Sequence, residues 1–157
     1  YHGRFYVAYM LSSARYLSFW DDDLRVGKGW LEHCVAFLQS QGDLAIVSGK
    51  GRIVQELPDS MNDWDVIYPT MEKLIRPPLS WSRGTAHSVD FTVQHHTLRR
   101  DLLRLYLGSP VHTFTTGEDI QLNFALQRAG IPSYSLAPHK HHDPYKSYIL
   151  QPGVWAN

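Results

Sequence analysis

The feature that most constrains this chain is an apolar, aromatic pentapeptide, Tyr16-Leu17-Ser18-Phe19-Trp20, running straight into three consecutive carboxylates, Asp21-Asp22-Asp23. The first part has the composition of a buried strand. The second part opposes burial, because two unit charges about 4 Å apart repel by about 1 kcal/mol in water and by several times that in a half-buried site. Two readings are open. The triplet is a solvated loop in which Asp23 caps the next helix, or it gathers a cation. Its position favours the second, since open α/β sheets place ligands beyond the carboxyl ends of their strands. Asp21, Asp22 and Asp23 are therefore the first place to look for a bound metal.

The rest of the pattern alternates helix with strand. Apolar residues fill most of positions 5–11, which predicts a helix over 4–13 packed against a sheet and feeding the strand at 16–20. Trp30, Leu31, Cys34, Phe37, Leu38 and Gln41 recur at helical spacing until Gly42 supplies a stop. A short apolar strand is expected at 44–47, followed by a small, flexible turn at 48–51. Residues 58–83 show little periodicity but carry Trp64, Trp81, Pro69, Pro77 and Pro78, and a long irregular segment in a small domain is usually mobile or functional. A strand is expected over 89–93, a short helix over 100–107 closed by Gly108 and Pro110, a helix over 118–128 ended by Gly130 and Pro132, and a last strand at 133–136. No repeat or linker divides the 157 residues, so one α/β domain with a sheet flanked by helices is expected. The chain opens at Tyr1, almost inside its first helix, which reads as the later part of a longer domain.

Composition removes several function classes. Fifteen basic and fifteen acidic residues cancel, so no global field draws the protein to nucleic acid or to an anionic membrane. With 43% hydrophobic residues the chain can bury a core, and it contains no run of about 18 apolar residues able to span a membrane. Cys34 is the single cysteine, so no internal disulfide forms, and a reducing compartment such as the cytoplasm fits.

Three further clusters carry chemistry. Thr115-Thr116-Gly117-Glu118-Asp119 opens a helix, and Thr115 with Glu118 matches a capping box. The box accounts for Glu118 better than for Asp119, which either complements the helix dipole in the first turn or serves as a general base at the sheet's carboxyl edge. Pro138-His139-Lys140-His141-His142-Asp143 is either a surface histidine run or a metal or phosphate site, with Lys140 adding positive charge. An imidazole ligand there favours Mn²⁺ over Mg²⁺. His95 and His96 are read as ending the strand at 89–93, either as a half-buried polar terminus or as substrate contacts. Lys50 and Arg52, in the glycine-rich turn, are either solvated or hold an anion.

In this order the segments resemble the catalytic half of a GT-A fold glycosyltransferase, closest to family 2 enzymes and more distantly to the exostosin type. The residues that carry the likeness are the helix and strand leading into Phe19-Trp20-Asp21-Asp22-Asp23, then Val89-Asp90-Phe91 with Leu98-Arg99-Arg100, then Gly117-Glu118-Asp119-Ile120, and finally Pro138-His139. The resemblance implies a partial GT-A domain with a Rossmann-like mixed sheet, lacking its amino-terminal nucleoside-binding strands. It implies a metal-dependent, inverting sugar transfer from a nucleotide-diphospho-sugar to an acceptor hydroxyl. Asp21 and Asp23 would hold Mn²⁺ or Mg²⁺ with His139, His142 standing in reserve, and Asp22 and Lys140 would lie beside the cofactor. Asp119 would be the base with Glu118 beside it, and Trp81, His95, His96 and Arg52 would line the substrate side. Any association with a membrane would come from regions outside these residues. Two competing readings are a metal-dependent phosphohydrolase and a carbohydrate-binding module using Trp64, Trp81 and Trp155.

Overall fold

The computed structural model describes residues 2–22, 29–54, 75–76, 86–111 and 117–136. Among the described residues, four α-helices, α1 (Gly3–Leu11), α2 (Trp30–Ser40), α3 (Leu103–Leu107) and α4 (Glu118–Gln127), flank a five-stranded sheet. The sheet runs in the order β1 (Tyr16–Trp20), β7 (His95–Arg99), β2 (Ile46–Ser48), β8 (Ser133–Leu136), β5 (Ala86–Val89). β2 and β8 are parallel, and β7 is antiparallel to both β1 and β2, so β1, β2 and β8 point the same way. Their carboxyl ends therefore share one edge, to which β7 contributes its first residue, His95, opposite Trp20. This is a mixed sheet flanked by helices, and no helix among the described residues is long and apolar enough to cross a membrane.

Strand periodicity divides the core into two layers. Leu17, Phe19, Ile46 and Leu98 face α1, α3 and α4 and pack with Phe5, Leu103, Tyr106, Leu122 and Leu126. Their neighbours Tyr16, Trp20 and Val47 face the other way, toward Trp30, Cys34 and Leu38 of α2. Each fully buried leucine in these layers contributes about 1.5–3 kcal/mol. Cys34 belongs to the second layer, where burial pushes its thiol up to about 12 and makes it a packing group.

Several sequence expectations are corrected. The strand expected over 89–93 is two strands, β5 and β6 (Phe91–Thr92), broken at Asp90, whose N–H is taken by the Arg52 carbonyl at 2.8 Å. The break sends the chain into a small second sheet ordered β4 (Ile75–Arg76), β3 (Gly51–Val54), β6. Arg52 is therefore not in a turn: it lies on β3 and pairs with Phe91. Gly51 is required there, because a Cβ at that position would stand 2.6 Å from the Val89 side chain. Nor do His95 and His96 end the preceding strand; they open β7, which the sequence reading had not separated from it. The segment 100–107 is a 3₁₀ turn, Arg100–Leu102, before α3.

Candidate functional site at the carboxyl edge of the sheet

α1 is anchored by Phe5, which has no exposed surface and meets Phe19 and Tyr106 edge-on at 4.7 and 5.0 Å between ring centroids. Anchoring Phe5 fixes its neighbour Arg4, whose guanidinium carbon lies 5.0 Å from the Phe5 ring centroid. The guanidinium then joins elements that are remote in sequence. Nη1 donates to Asp21 Oδ1 at 3.1 Å, directly beyond β1, while Nη2 donates to Asp119 Oδ1 at 3.1 Å and reaches Glu118 Oε1 at 3.4 Å, at the start of α4. Three carboxylates thus surround one fixed cation, whose charge offsets their mutual repulsion.

α4 begins after Gly117, whose φ of +88° suits a glycine, and no side chain caps the helix. Glu118 is consequently the first helical residue and does not occupy the third position that a capping box requires; Thr115 lies outside the described residues. The correction has a simple cause, since a glycine in the left-handed region makes the turn that the box was expected to make.

Behind Asp119 stands a buried polar chain. His96 Nε2 donates to Asp119 Oδ1 at 2.7 Å, and His96 Nδ1 lies 2.8 Å from the Thr92 hydroxyl. Asn123, one turn along α4, accepts at Oδ1 from the Thr92 N–H at 3.1 Å and from the Ser133 hydroxyl at 2.8 Å, and donates to the Asp119 carbonyl at 2.7 Å. Burial pulls the Asp119 carboxyl upward, but the hydrogen bond and charge of His96, with Arg4 and the Gln94 backbone, outweigh it and hold the group below the usual carboxylate range. Asp119 is ionised at neutral pH and fixed in orientation through Oδ1.

Gln94 is a second junction. It adopts a φ of +65°, its carbonyl accepts the Asp21 N–H at 3.0 Å, and its side-chain oxygen accepts Lys50 Nζ at 2.7 Å. A non-glycine residue in the left-handed region stores strain that the surrounding bonds must hold in place.

The structure thus brings together Asp21, Glu118, Asp119 and His96. It does not bring His95 with them: adjacent strand residues point to opposite faces, and His95 stacks on Trp20 at 3.8 Å in the α2 layer. Both histidines are fully buried. Burial, with His96 nearby, holds the His95 imidazole well below its ordinary value and therefore neutral. Asp22 is exposed beside Asp21, and Arg52 is half-buried on β3. Asp23, Trp81, His139, Lys140 and His142 lie outside the described residues.

Among the described residues, no group of three or more His, Cys, Asp or Glu is disposed to hold a metal ion. Asp21 is the described member of the expected ligand set, so a divalent ion at this edge needs Asp23 and a tail histidine as well. Sequence reasoning missed Arg4, Gln94, Thr92 and Asn123. Arg4 had left a signal, since it is the single charged residue of α1; the others became visible only through their contacts. No protein-family model matches this chain, and no curated protein matches it.

Proposed function

We propose that this chain is the catalytic part of a metal-dependent, inverting glycosyltransferase of GT-A type, moving a sugar from a nucleotide-diphospho-sugar to an acceptor hydroxyl. The observation that carries the reading is the shared Arg4 guanidinium, which links Asp21 beyond β1 to Asp119 at the start of α4 on one edge of a mixed sheet. Sugar transfer needs a carboxylate site for the donor and a separate base for the acceptor, and these two residues supply one of each.

Asp119 takes the acceptor proton as the new glycosidic bond forms. Its lowered pKa makes it a modest base that is always in the required ionised form, and the His96 and Arg4 bonds keep its oxygen aimed while the acceptor approaches. Glu118 balances Arg4. Asp21 and Asp23, with His139 or His142, would hold Mn²⁺ or Mg²⁺, which would supply Lewis acidity toward the diphosphate leaving group. Asp22 and Lys140 would serve that diphosphate, and Trp81 and Arg52 the acceptor.

The test is an assay of the protein with nucleotide-sugars and Mn²⁺, measuring released nucleoside diphosphate against inorganic phosphate. Sugar transfer that Asp23→Ala and chelator both abolish is the expected result. Release of inorganic phosphate without transfer would replace the reading with a phosphohydrolase, and sugar binding indifferent to chelator and to Asp23→Ala would replace it with a carbohydrate-binding module.

A further inference from the structure

Ser13, Ala14 and Arg15, between α1 and β1, and Arg99, Arg100 and Asp101, where β7 passes into its 3₁₀ turn, line a surface cavity of about 280 Å³. The register places it at the opposite edge of the sheet from Asp21, since Tyr16 pairs with Arg99 at this end and Trp20 with His95 at the other. Four strand steps separate the two ends by roughly 13 Å. The cavity is therefore distinct from the Arg4 cluster and stands independently of the glycosyltransferase reading.

Three arginine residues line the cavity, and the two carboxylates near them are already engaged. Asp43 accepts from Arg15 Nη2 and from the Tyr16 hydroxyl, the latter at 2.7 Å. Asp101 accepts from Arg99 Nε at 2.5 Å. Arg100 donates Nε and Nη2 to the Tyr9 carbonyl at 3.2 and 2.6 Å, with its guanidinium carbon 4.6 Å from the Tyr9 ring centroid. Each arginine is thus held in place by one bonded group. Arg15 Nε and Nη1, both Nη atoms of Arg99, and Arg100 Nη1 have no acceptor among the described residues.

Guanidinium groups that are each fixed by one partner and keep spare N–H groups suit the paired oxygens of a phosphate. The balance of charge around the cavity is positive, which disfavours a metal ion. A phosphate carries nearly two negative charges at neutral pH, against one for a carboxylate, and gains correspondingly more from three arginines. We propose that this cavity is an anion site that takes a phosphate group, with Arg15, Arg99 and Arg100 supplying the donors.

The experiment titrates inorganic phosphate, and separately glycerol 3-phosphate, into the protein at low ionic strength with chelator present. Calorimetry reads the affinity, and amide chemical shifts locate the binding. Saturable binding is expected, with shifts at Ser13, Ala14 and Arg15 and not at Asp21 or Gln94. Arg15→Gln is expected to weaken binding about ten-fold, and Arg15→Lys less. A stronger response to the ester assigns the site to esterified phosphate, and the reverse assigns it to the free ion. Absence of saturable binding, wild-type affinity in a folded Arg15→Gln protein, or shifts confined to Asp21 and Gln94 would overturn the proposal. The shift map of the unmutated protein decides the matter even if the variant fails to fold.

Discussion

The two ends of β1 carry opposite charge arrangements. At the carboxyl end one arginine, Arg4, is surrounded by Asp21, Glu118 and Asp119; at the amino end Arg15, Arg99 and Arg100 outnumber Asp43 and Asp101. The ends also differ in depth. Glu118 and His96 are buried, and Asp119 rests on a hydrogen-bonded chain running through His96, Thr92, Asn123 and Ser133 into the sheet. Arg15, by contrast, keeps 67% of its side chain exposed. A group fixed by buried neighbours can hold a reacting atom in one geometry, whereas the exposed Arg15 guanidinium offers charge and fork geometry to an anion that brings its own shape. The proposed chemistry is accordingly assigned to the first end and the proposed anion binding to the second.

The largest effect should come from Asp119→Asn, which keeps the shape of the carboxyl edge but removes the proposed base. Transfer is expected to fall by roughly 10²–10⁴-fold with donor binding nearly intact, read as kcat against donor KM. Wild-type turnover in this variant would reduce the carboxyl edge to a structural ion cluster and dissolve the contrast.

Next in size is Asn123→Ala. It strips hydrogen bonds from the Thr92 N–H, the Ser133 hydroxyl and the Asp119 carbonyl in a fully buried setting, and should cost about 2–3 kcal/mol in urea unfolding. Arg15→Gln, at the exposed edge, should cost distinctly less in the same measurement. Equal losses would mean that the two edges do not differ in depth as described.

The smallest effect is on pH dependence at the amino edge. The Tyr16 hydroxyl, against an upward pull from burial and aided by Arg15, holds the Asp43 carboxyl below its ordinary 3.8. The folded state thus favours the ionised form. The stability it contributes is fully present above that ordinary value and is lost as pH falls through the lower folded one. Asp43→Asn should flatten the decline in thermal stability below about pH 4. An unchanged acid limb would show that the Asp43 cluster adds nothing to folding.

Much of the fold was legible because periodicity is a local record of burial. The strand at Tyr16–Trp20 and the starts of α2 and α4 lie where the apolar spacing put them, since each element buries one face of its own side chains. The failures fall where a partner remote in sequence decides. Nothing local distinguishes one strand over 89–93 from two strands in different sheets, because the break at Asp90 follows from the Arg52 carbonyl and from the Gln127 amide that donates to the Asp90 carbonyl. His95 and His96 look alike in sequence, yet the pleat sends one against Trp20 and the other to Asp119.

By itself, the sequence determined that charge is concentrated after β1 and at the start of α4, because residue type alone fixes charge. Only the tertiary structure decided that Asp21 and Asp119 meet, that Arg4 is the cation between them, and that Arg15 and Arg99 gather at the other edge. The reason is the register of β1 against β7: hydrogen bonding between strands distant in sequence sets which side chains share an edge, and no local pattern encodes that pairing.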